Sequence, residues 1–173
     1  PKIKEANIAA AKQSEYFKLY RSDILDIRTL RKIFKLEKPE KVVHLAARAG
    51  VRPSIADPAL YAKENVLGTV NLLQVSAEFN IKQFIFCSSS SVYGKTASVP
   101  FGENDPCLDI ISPYGSSKRA AEFFAETFHR CFKLNVIILR LFTVYGPRGR
   151  RDMAPFLFVN AVKNGKEVVQ FGD

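Results

Sequence analysis

A tyrosine, a lysine and a run of serines are the residues of this chain whose types and spacing could do chemistry. The segment "SPYGSSK" places Tyr114 four residues before Lys118, so on a helix the phenol and the ammonium lie one turn apart on the same face. A nearby ammonium favours the phenolate, which can act as a general base near neutral pH. A serine hydroxyl from the upstream segment "SSSSVYG" could bridge to the same substrate oxygen and share its proton.

The elements that must position these residues alternate between strand and helix patterns. Short apolar runs typical of buried strands occur in "VVHLAA", "QFIFCS" and "NVIILRLF", and "FKLY" is a further short candidate. Helical spacing follows "FKLY" in "IRTLRKIFKL". Two long helices are predicted further along the chain, over about 59–79 and 114–132. Continuous apolar strands alternating with helices are typical of a parallel sheet covered on both faces. We therefore predict an α/β fold with a doubly wound, Rossmann-like parallel sheet.

Polar and glycine-rich segments follow three of the predicted strands. They are "ARAG", "SSSSVYG" and "TVYGPRGRR", and ligands of open parallel sheets bind outside the carboxyl ends of the strands. Three loops are thus expected to converge on one crevice. In the third, Arg148, Arg150 and Arg151 follow a Gly-Pro turn and could clamp a diphosphate or a carboxylate.

Composition limits the classes of protein that remain. The 173 residues and the hydrophobic fraction of 47% fit one globular domain or part of one. A net charge of +9 favours anionic partners. Much of the excess, however, lies along "KIFKLEKPEK", which a solvated helix face explains, and no nucleic-acid recognition element is visible. A nucleic-acid-binding module is therefore the weaker alternative.

Cysteine and histidine usage indicates neither a metal site nor a disulfide framework. Cys87, Cys107 and Cys131 are odd in number, widely spaced and without a Cys-x-x-Cys pair. His44 lies within the apolar run "VVHLAA" and is expected to be a satisfied core histidine. No apolar run is long enough to span a membrane and the N-terminal residues lack a signal-peptide core, so a cytoplasmic location is predicted.

With these motifs in order, the chain resembles the extended short-chain dehydrogenases/reductases, the NAD-dependent epimerase/dehydratase family. The resemblance covers nearly everything from residue 23 to the end. Within that group, "AGVRPS" and "FTVYGPRGRRDMAPF" are most similar to UDP-glucuronate 4-epimerases. The segments that carry the resemblance are "SDILD", "VVHLAARAGVRPS", "ENVLGTVNLL", "FIFCSSSSVYG", "SPYGSSKRAAE" and "LRLFTVYGPRGRRDMAPF".

The resemblance implies roles for the residues of the opening motif. Tyr114 would be the catalytic base and Lys118 its partner, and both would contact the cofactor, the lysine at the nicotinamide ribose. The family's hydroxyl partner stands four residues before the tyrosine of "VYG", which is Ser89 here, with Ser90 and Ser91 facing the sugar. Dehydratases carry an Asp-Glu pair where this chain has Ser90 and Ser91, which argues against dehydration.

Further residues are implied to bind the cofactor NAD and the substrate. Asp23 and Ile24 would meet the adenine, and Asn65 would steady the loops on the cofactor side. Thr143, where galactose-type epimerases usually have asparagine, would hold the uronate or the diphosphate together with Arg150. Three residues after a strand would line the dinucleotide path: Leu45, Ala46 and Ala47.

The implied function is a redox-neutral 4-epimerisation of UDP-glucuronate and UDP-galacturonate through a transient 4-keto sugar with bound NAD. Alternatives within the superfamily are a UDP-glucose 4-epimerase and a UDP-glucuronate decarboxylase. An alternative of another class is a catalytically inactive, dinucleotide-sensing scaffold. Members of the superfamily often dimerise through helices like those predicted here, so a homodimer is one expected assembly.

The chain departs from the family at its start. The family opens with a strand and a glycine-rich turn that receives the pyrophosphate, and no such glycine pattern occurs in this sequence. Residues 1–150 are therefore expected to be a partial NAD-binding domain lacking its first βαβ segment, and residues 151–173 the beginning of a substrate-binding region. We expect an internal part of a longer enzyme that is inactive by itself. The choice between NAD and NADP stays open.

Overall fold

A computed structural model describes residues 2–95 and 98–168 of the chain. It divides into two compact units, one formed by Tyr20–Phe142 and the other by Pro1–Leu19 with Thr143–Asp173. These boundaries differ from the predicted division at residue 150. That division concerns functional regions, and it stays a prediction.

The larger unit is built on a parallel sheet of three strands. The strands are β1 (Lys41–His44), β2 (Gln83–Cys87) and β3 (Val136–Leu139), in the order β1-β2-β3. Ile85 in the central strand is in register with Val43 on one side and Ile137 on the other. The parallel sheet and its helical connections confirm the predicted α/β, Rossmann-like fold.

One face of this sheet carries the hydrophobic core of the unit. Phe84 and Phe86 of β2 are fully buried and pack with residues of three helices in a single cluster. Alternate residues point to the opposite face, where Val43 is 55% and Ile137 is 39% exposed. Within the described part of this unit, the prediction of helices on both faces therefore holds for one face only.

Two helical segments lie on the buried face, one before β1 and one between β1 and β2. Helix α2 (Ile27–Glu37) begins where the Asp26 side chain accepts the Thr29 N–H. Between β1 and β2, the short α3 (Val51–Ala56) is followed by α4 (Pro58–Tyr61), a π-helical turn (Ala62–Leu67) and α5 (Gly68–Glu78). The last three form one long helix, close to the predicted 59–79.

Glycine at position 68 allows close packing rather than breaking this helix. A Cβ atom added there would lie 2.5 Å from Cδ1 of Ile24, a separation that side chains do not tolerate without a shift in the neighbour. The segment before α2 can thus lie directly against the long helix.

Helix α6 (Pro113–Phe132) lies between β2 and β3 and carries the tyrosine and the lysine. Its N-cap is Ser112, whose Oγ accepts the Gly115 N–H at 3.0 Å, and Pro113 occupies the first helical position, where its missing N–H costs nothing. The helix ends at Lys133, whose φ of 57° is left-handed. Its first turn is therefore fixed by local sequence.

The smaller unit contains α1 (Lys2–Asn7), a short 3-10 turn (Ala11–Gln13) and α7 (Ala154–Lys163). The strand predicted at "FKLY" is wrong, since residues 17–20 have no regular secondary structure. A strand persists only with a ladder partner, and the three described strands pair with one another. An apolar pattern alone could not reveal that no neighbour is available.

Candidate active site

Tyr114 is anchored at the start of α6 by contacts to both its backbone and its ring. Its N–H, one of the unpaired donors of a helix N-terminus, donates to the Oγ of the fully buried Ser54 at 3.1 Å. The ring of Tyr61 packs against the Tyr114 ring edge to face, with centroids 6.2 Å apart. The Tyr114 hydroxyl has no hydrogen-bond partner within the described residues and stays available to a ligand.

Lys118 places a desolvated positive charge one helical turn further on. The residue is only 3% exposed, its Nζ donates to the carbonyl of Cys87, and the ammonium lies 4.6 Å from the ring centroid of Phe86. Burial lowers the pKa of Lys118 to about 8, against the opposing effects of Cys87 and Glu122. An ammonium has three donors, so two remain for other partners.

The serine segment lies directly against the first turn of α6. The Oγ of Ser89 accepts the Ser91 N–H at 3.2 Å and caps a 3-10 turn, Ser90–Val92. A Cβ on Gly115 would be 2.6 Å from the Ser91 carbonyl oxygen, so only glycine allows this approach. The structure thus brings the serine segment and the Tyr114–Lys118 turn together, as the sequence predicted.

The same segment is also tied to the chain that follows β3. The Ser90 N–H donates to the carbonyl of Leu141 at 2.9 Å. The serine segment therefore lies against the residues directly after β3, which precede the predicted loop "TVYGPRGRR".

Asn65 connects the loop after β1 to helix α6. Its Oδ1 accepts the Arg48 N–H at 2.7 Å, and its Nδ2 donates to the Arg48 carbonyl at 3.0 Å and to Ser117 Oγ at 2.9 Å. The side chain is buried within the π-helical turn. These contacts tie the loop after β1 to α6, and the part of Asn65 in cofactor binding stays a prediction.

The residues predicted to line the dinucleotide path lie just after β1. Leu45 is 69% exposed, and Ala46 and Ala47 are exposed as well. The Glu64 carboxylate, hydrogen-bonded to the Arg48 guanidinium, raises the pKa of Arg48 above its ordinary value. Asp23 adds to that shift through its charge, which places it near this loop.

Ile24 has a structural role in addition to its predicted contact with the adenine. Its side chain packs against the core and over Gly68. Its carbonyl accepts a hydrogen bond from the Asn71 amide at 3.1 Å. The backbone around Asp23 is thereby held against the long helix.

Sequence reasoning missed a buried charge cluster beside the serine segment. Glu122 is fully buried and accepts hydrogen bonds from Arg119, Arg140 and the hydroxyl of Ser88. A signal was available, because Glu122 stands four residues after Lys118 and so falls on the same buried stripe of the helix. Ser54 and Tyr61, which anchor Tyr114, come from two other helices, α3 and α4, and no spacing in the sequence indicated their contact with Tyr114.

His44 is buried, as expected of a core histidine, but only one of its ring nitrogens is paired. Its Nε2 lies 2.9 Å from Thr69 Oγ1, and Nδ1 has no partner within the described residues. Since the Thr69 hydroxyl donates to the Asn65 carbonyl, Nε2 is the protonated nitrogen. Burial first, and the Lys118 charge second, lower the pKa of His44 to about 4, so the ring is neutral at pH 7.

Thr143 and Arg150 belong to the smaller unit. Both are exposed, and the Arg150 guanidinium forms an ion pair with Asp152, its Nε lying 3.0 Å from Oδ1. Arg150 also lines a cleft of about 280 Å³ whose other walls are mainly apolar, among them Met153 and Phe156.

Within the described residues, two further kinds of site are absent. No group of three or more His, Cys, Asp or Glu side chains could hold a metal ion. No helix combines the length and the apolar character that crossing a membrane requires.

A parallel sheet with a tyrosine and a buried lysine on one helix, beside a serine segment at a strand end, is the arrangement of the short-chain dehydrogenase/reductase class of Rossmann-type proteins. Residues 2–173 match the model of the NAD dependent epimerase/dehydratase family. The chain belongs to that family.

Similar proteins agree with this assignment. The chain is 41% identical over 162 residues to a UDP-glucuronate 4-epimerase of Thermodesulfobacterium geofontis, covering 94% of this chain and 50% of the relative. It is 41% identical to UDP-glucuronate 4-epimerase 4 of Arabidopsis thaliana, over 99% of this chain and 39% of the relative.

A solved structure gives the same result in three dimensions. The Bacillus cereus UDP-glucuronic acid 4-epimerase, in complex with UDP-glucuronic acid and NAD, superposes with a TM-score of 0.87 at 35% identity. The match covers 99% of this chain and 54% of that one. The chain thus spans about half the length of the relatives it matches.

Proposed function

We propose that the protein is an NAD-dependent UDP-glucuronate 4-epimerase and that this chain carries its proton-transfer machinery. The observation that carries the proposal is the desolvated Lys118 ammonium, one turn beyond a tyrosine whose hydroxyl is unpaired within the described residues. The relatives at 41% identity, which are UDP-glucuronate 4-epimerases, support this choice of substrate.

Tyr114 is the group that takes the proton of the sugar's 4-hydroxyl. The positive charge of Lys118 favours the phenolate that this step needs. Ser89 assists, because its Oγ already accepts the Ser91 N–H and its own hydrogen is therefore left to donate to the substrate oxygen. After the 4-keto sugar has rotated in the site and has been reduced on its other face, Tyr114 returns the proton to the oxygen on carbon 4.

The residues present fit the dinucleotide that the family implies. The loop at Leu45–Ala47 is exposed at the carboxyl end of a parallel strand, and Asn65 fixes the backbone immediately after it. Lys118 has two donors left for ribose hydroxyls. NAD, when bound, would supply reversible hydride transfer at carbon 4 of the sugar. Asp23 would approach the adenine side.

A uronate places a further demand on the enzyme. Its 4-keto form is a β-keto acid that can lose carbon dioxide, so a 4-epimerase must hold the carboxylate in an orientation that disfavours decarboxylation. We assign this to Thr143 and Arg150, since a guanidinium binds a carboxylate in a bidentate manner. Ser90 and Ser91 would face the sugar from the other loop.

We further propose a homodimer in the cytoplasm. Several large apolar side chains of the long helices are exposed, among them Phe123 and Phe124 of α6, and a second copy of the same helices would cover them. Three free cysteines, Cys87, Cys107 and Cys131, agree with a reducing compartment.

The test is product analysis by NMR after incubation of the full-length protein with UDP-glucuronate and NAD. We expect UDP-galacturonate, and an equilibrium mixture when the reaction starts from either sugar. Accumulation of a UDP-pentose would establish the decarboxylase instead, and turnover of UDP-glucose alone would establish the UDP-glucose 4-epimerase. Tight NAD binding without any turnover would support the inactive scaffold.

A further inference from the structure

Two side chains of α6, one turn apart, hold two consecutive residues at the end of β2. The Nζ of Lys118 donates to the carbonyl of Cys87, and the Oε1 of Glu122 accepts from the hydroxyl of Ser88. Two hydrogen bonds from side chains of α6 thus fix the peptide that joins Cys87 and Ser88. Ser89, the predicted hydroxyl partner, is the next residue along the chain.

Glu122 can hold Ser88 in place because its own carboxylate is fixed by several contacts. Its carboxylate is fully buried and pairs with Arg119 at 2.7 Å and with Arg140 at 3.0 Å. A buried charge is tolerated only when it is paired and hydrogen-bonded. Any rotation of this carboxylate would break contacts to both guanidinium groups.

The far end of the serine segment is held by the same cluster. The guanidinium of Arg140 lies 5.0 Å from the ring centroid of Tyr93, and Tyr93 is buried. Ser88 at one end and Tyr93 at the other are therefore both tied to the Glu122 carboxylate, directly or through Arg140. The residues between them carry the hydroxyls assigned to the reaction.

We propose that Glu122 is a positioning residue. Through its hydrogen bond to Ser88 it fixes the end of β2 and thereby holds Lys118 and the Ser89 hydroxyl in the positions that proton transfer requires. The inference rests on the proposed function, which assigns proton transfer to these groups. Without the Ser88 contact, the Cys87 carbonyl would lose its fixed position and Lys118 its fixed acceptor.

The sharpest variant is Ser88→Ala in the full-length protein. Glu122→Gln would leave two buried guanidinium groups short of a negative charge and destabilise the whole unit. Ser88→Ala keeps both ion pairs and removes only the link to the serine segment. The matched control is Ser76→Ala, since Ser76 is fully buried on α5 and its Oγ has no partner within the described residues.

The first measurement is independent of activity. Hydrogen–deuterium exchange of peptides covering residues 88–93 should become about tenfold faster in Ser88→Ala, the size expected for the loss of a hydrogen bond to a charged group. Ser76→Ala should exchange like the wild type. Equal exchange in the two variants would overturn the proposal.

The second measurement is kinetic and asks whether the link matters for catalysis. In Ser88→Ala, kcat should fall about tenfold with KM unchanged. Better hydration of Lys118 should raise its pKa, so the alkaline limb of the pH profile should move to higher pH. The groups around Lys118 are His44, Cys87 and Glu122, and none of them changes in this variant. Faster exchange with an unaltered kcat and pH profile would overturn the positioning role.

The two measurements separate this inference from the proposed function. A wild-type protein without turnover on UDP-glucuronate refutes the proposed function, and with it the catalytic half of the inference. The exchange data then decide alone whether Glu122 positions the segment.

Discussion

The two regions assigned to the reaction differ in how their charges are held. On α6, Lys118 is buried and bonded to the Cys87 carbonyl, and Glu122 one turn later is enclosed by two guanidinium groups. In the smaller unit, the Arg150 side chain is 50% exposed and pairs with Asp152 two residues away. Buried charges must be paired to exist at all, whereas exposed ones can exchange partners at little cost.

This difference indicates a division of labour. The α6 region keeps its groups in place before any ligand arrives, which suits proton transfer. The Arg150 region holds its cation through an exposed ion pair, which a substrate carboxylate can replace.

Tyr114→Phe should have the largest effect. We expect kcat to fall by about a thousandfold, within the range for loss of a general base, while UDP-glucuronate binding stays near that of the wild type because the ring is kept. Stopped-flow absorbance at the NADH wavelength and equilibrium binding check the two parts. Turnover at the wild-type rate would remove Tyr114 from the role of base.

The second prediction uses the lowered pKa of Lys118. With its pKa at about 8, the ammonium loses its proton as the pH rises through 8, and kcat should fall about tenfold per pH unit above that value. Steady-state rates between pH 6 and pH 10 provide the measurement.

The stability of the fold should change in the opposite direction over the same range. The folded-state pKa of Lys118 lies below the ordinary lysine value of 10.5. Between about pH 8 and 10.5 the unfolded chain therefore binds more protons, and the contribution of this group to the free energy of unfolding rises with pH. Urea unfolding of the wild type and of Lys118→Met measures the difference. A rise of equal size in both proteins would contradict the assignment to Lys118.

The third prediction concerns the buried link between the loop after β1 and α6. Asn65→Ala removes three hydrogen bonds and leaves both backbone groups of Arg48 without these partners, so we expect a loss of about 1–3 kcal/mol in the free energy of unfolding. Chemical denaturation checks it. Asn164→Ala, at the exposed end of α7, is the control and should lose much less.

The fourth prediction tests the exposed region. Arg150→Ala should raise KM for UDP-glucuronate about tenfold, as expected for one charge-assisted contact at a partly solvated site, and leave the free energy of unfolding within about 1 kcal/mol of the wild type. Arg151→Ala, an exposed cation of the same loop, is the matched control. An equal rise in KM for both variants would show that the positive charge of the loop, and not a specific contact of Arg150, determines substrate binding.

The smallest effect is expected from Asp152→Asn. Its hydrogen bond to Arg150 lowers the pKa of Asp152 below the ordinary value, but the pair is exposed, so the free energy of unfolding should stay close to that of the wild type. KM for UDP-glucuronate should fall slightly, because the carboxylate that competes for Arg150 is gone. Calorimetry and steady-state kinetics measure the two effects.

The fold was predictable where a pattern repeats within one element. The three strands of the sheet were predicted from short apolar runs, and the helices from the longer segments between those runs, because a buried strand and a helix packed on it each leave a local pattern. "FKLY" was misassigned since a short apolar run has no signal for the presence of a pairing partner. The exposure of the sheet face that carries Val43 and Ile137 could not be predicted either. A continuous apolar strand does not show whether one or both of its faces are covered by other elements.

The sequence by itself determined which residues could do chemistry. Tyr114 and Lys118 share a helical face by their spacing, and Ser89 follows a strand end, both consequences of local geometry. Only the tertiary structure decided what fixes them: Ser54 and Tyr61 at the tyrosine, Cys87 at the lysine, and Glu122 at the serine segment. Such contacts join residues up to 60 positions apart, as for Tyr114 and Ser54, and the spacing of residues along a chain carries no information about which distant groups will meet when the core is formed.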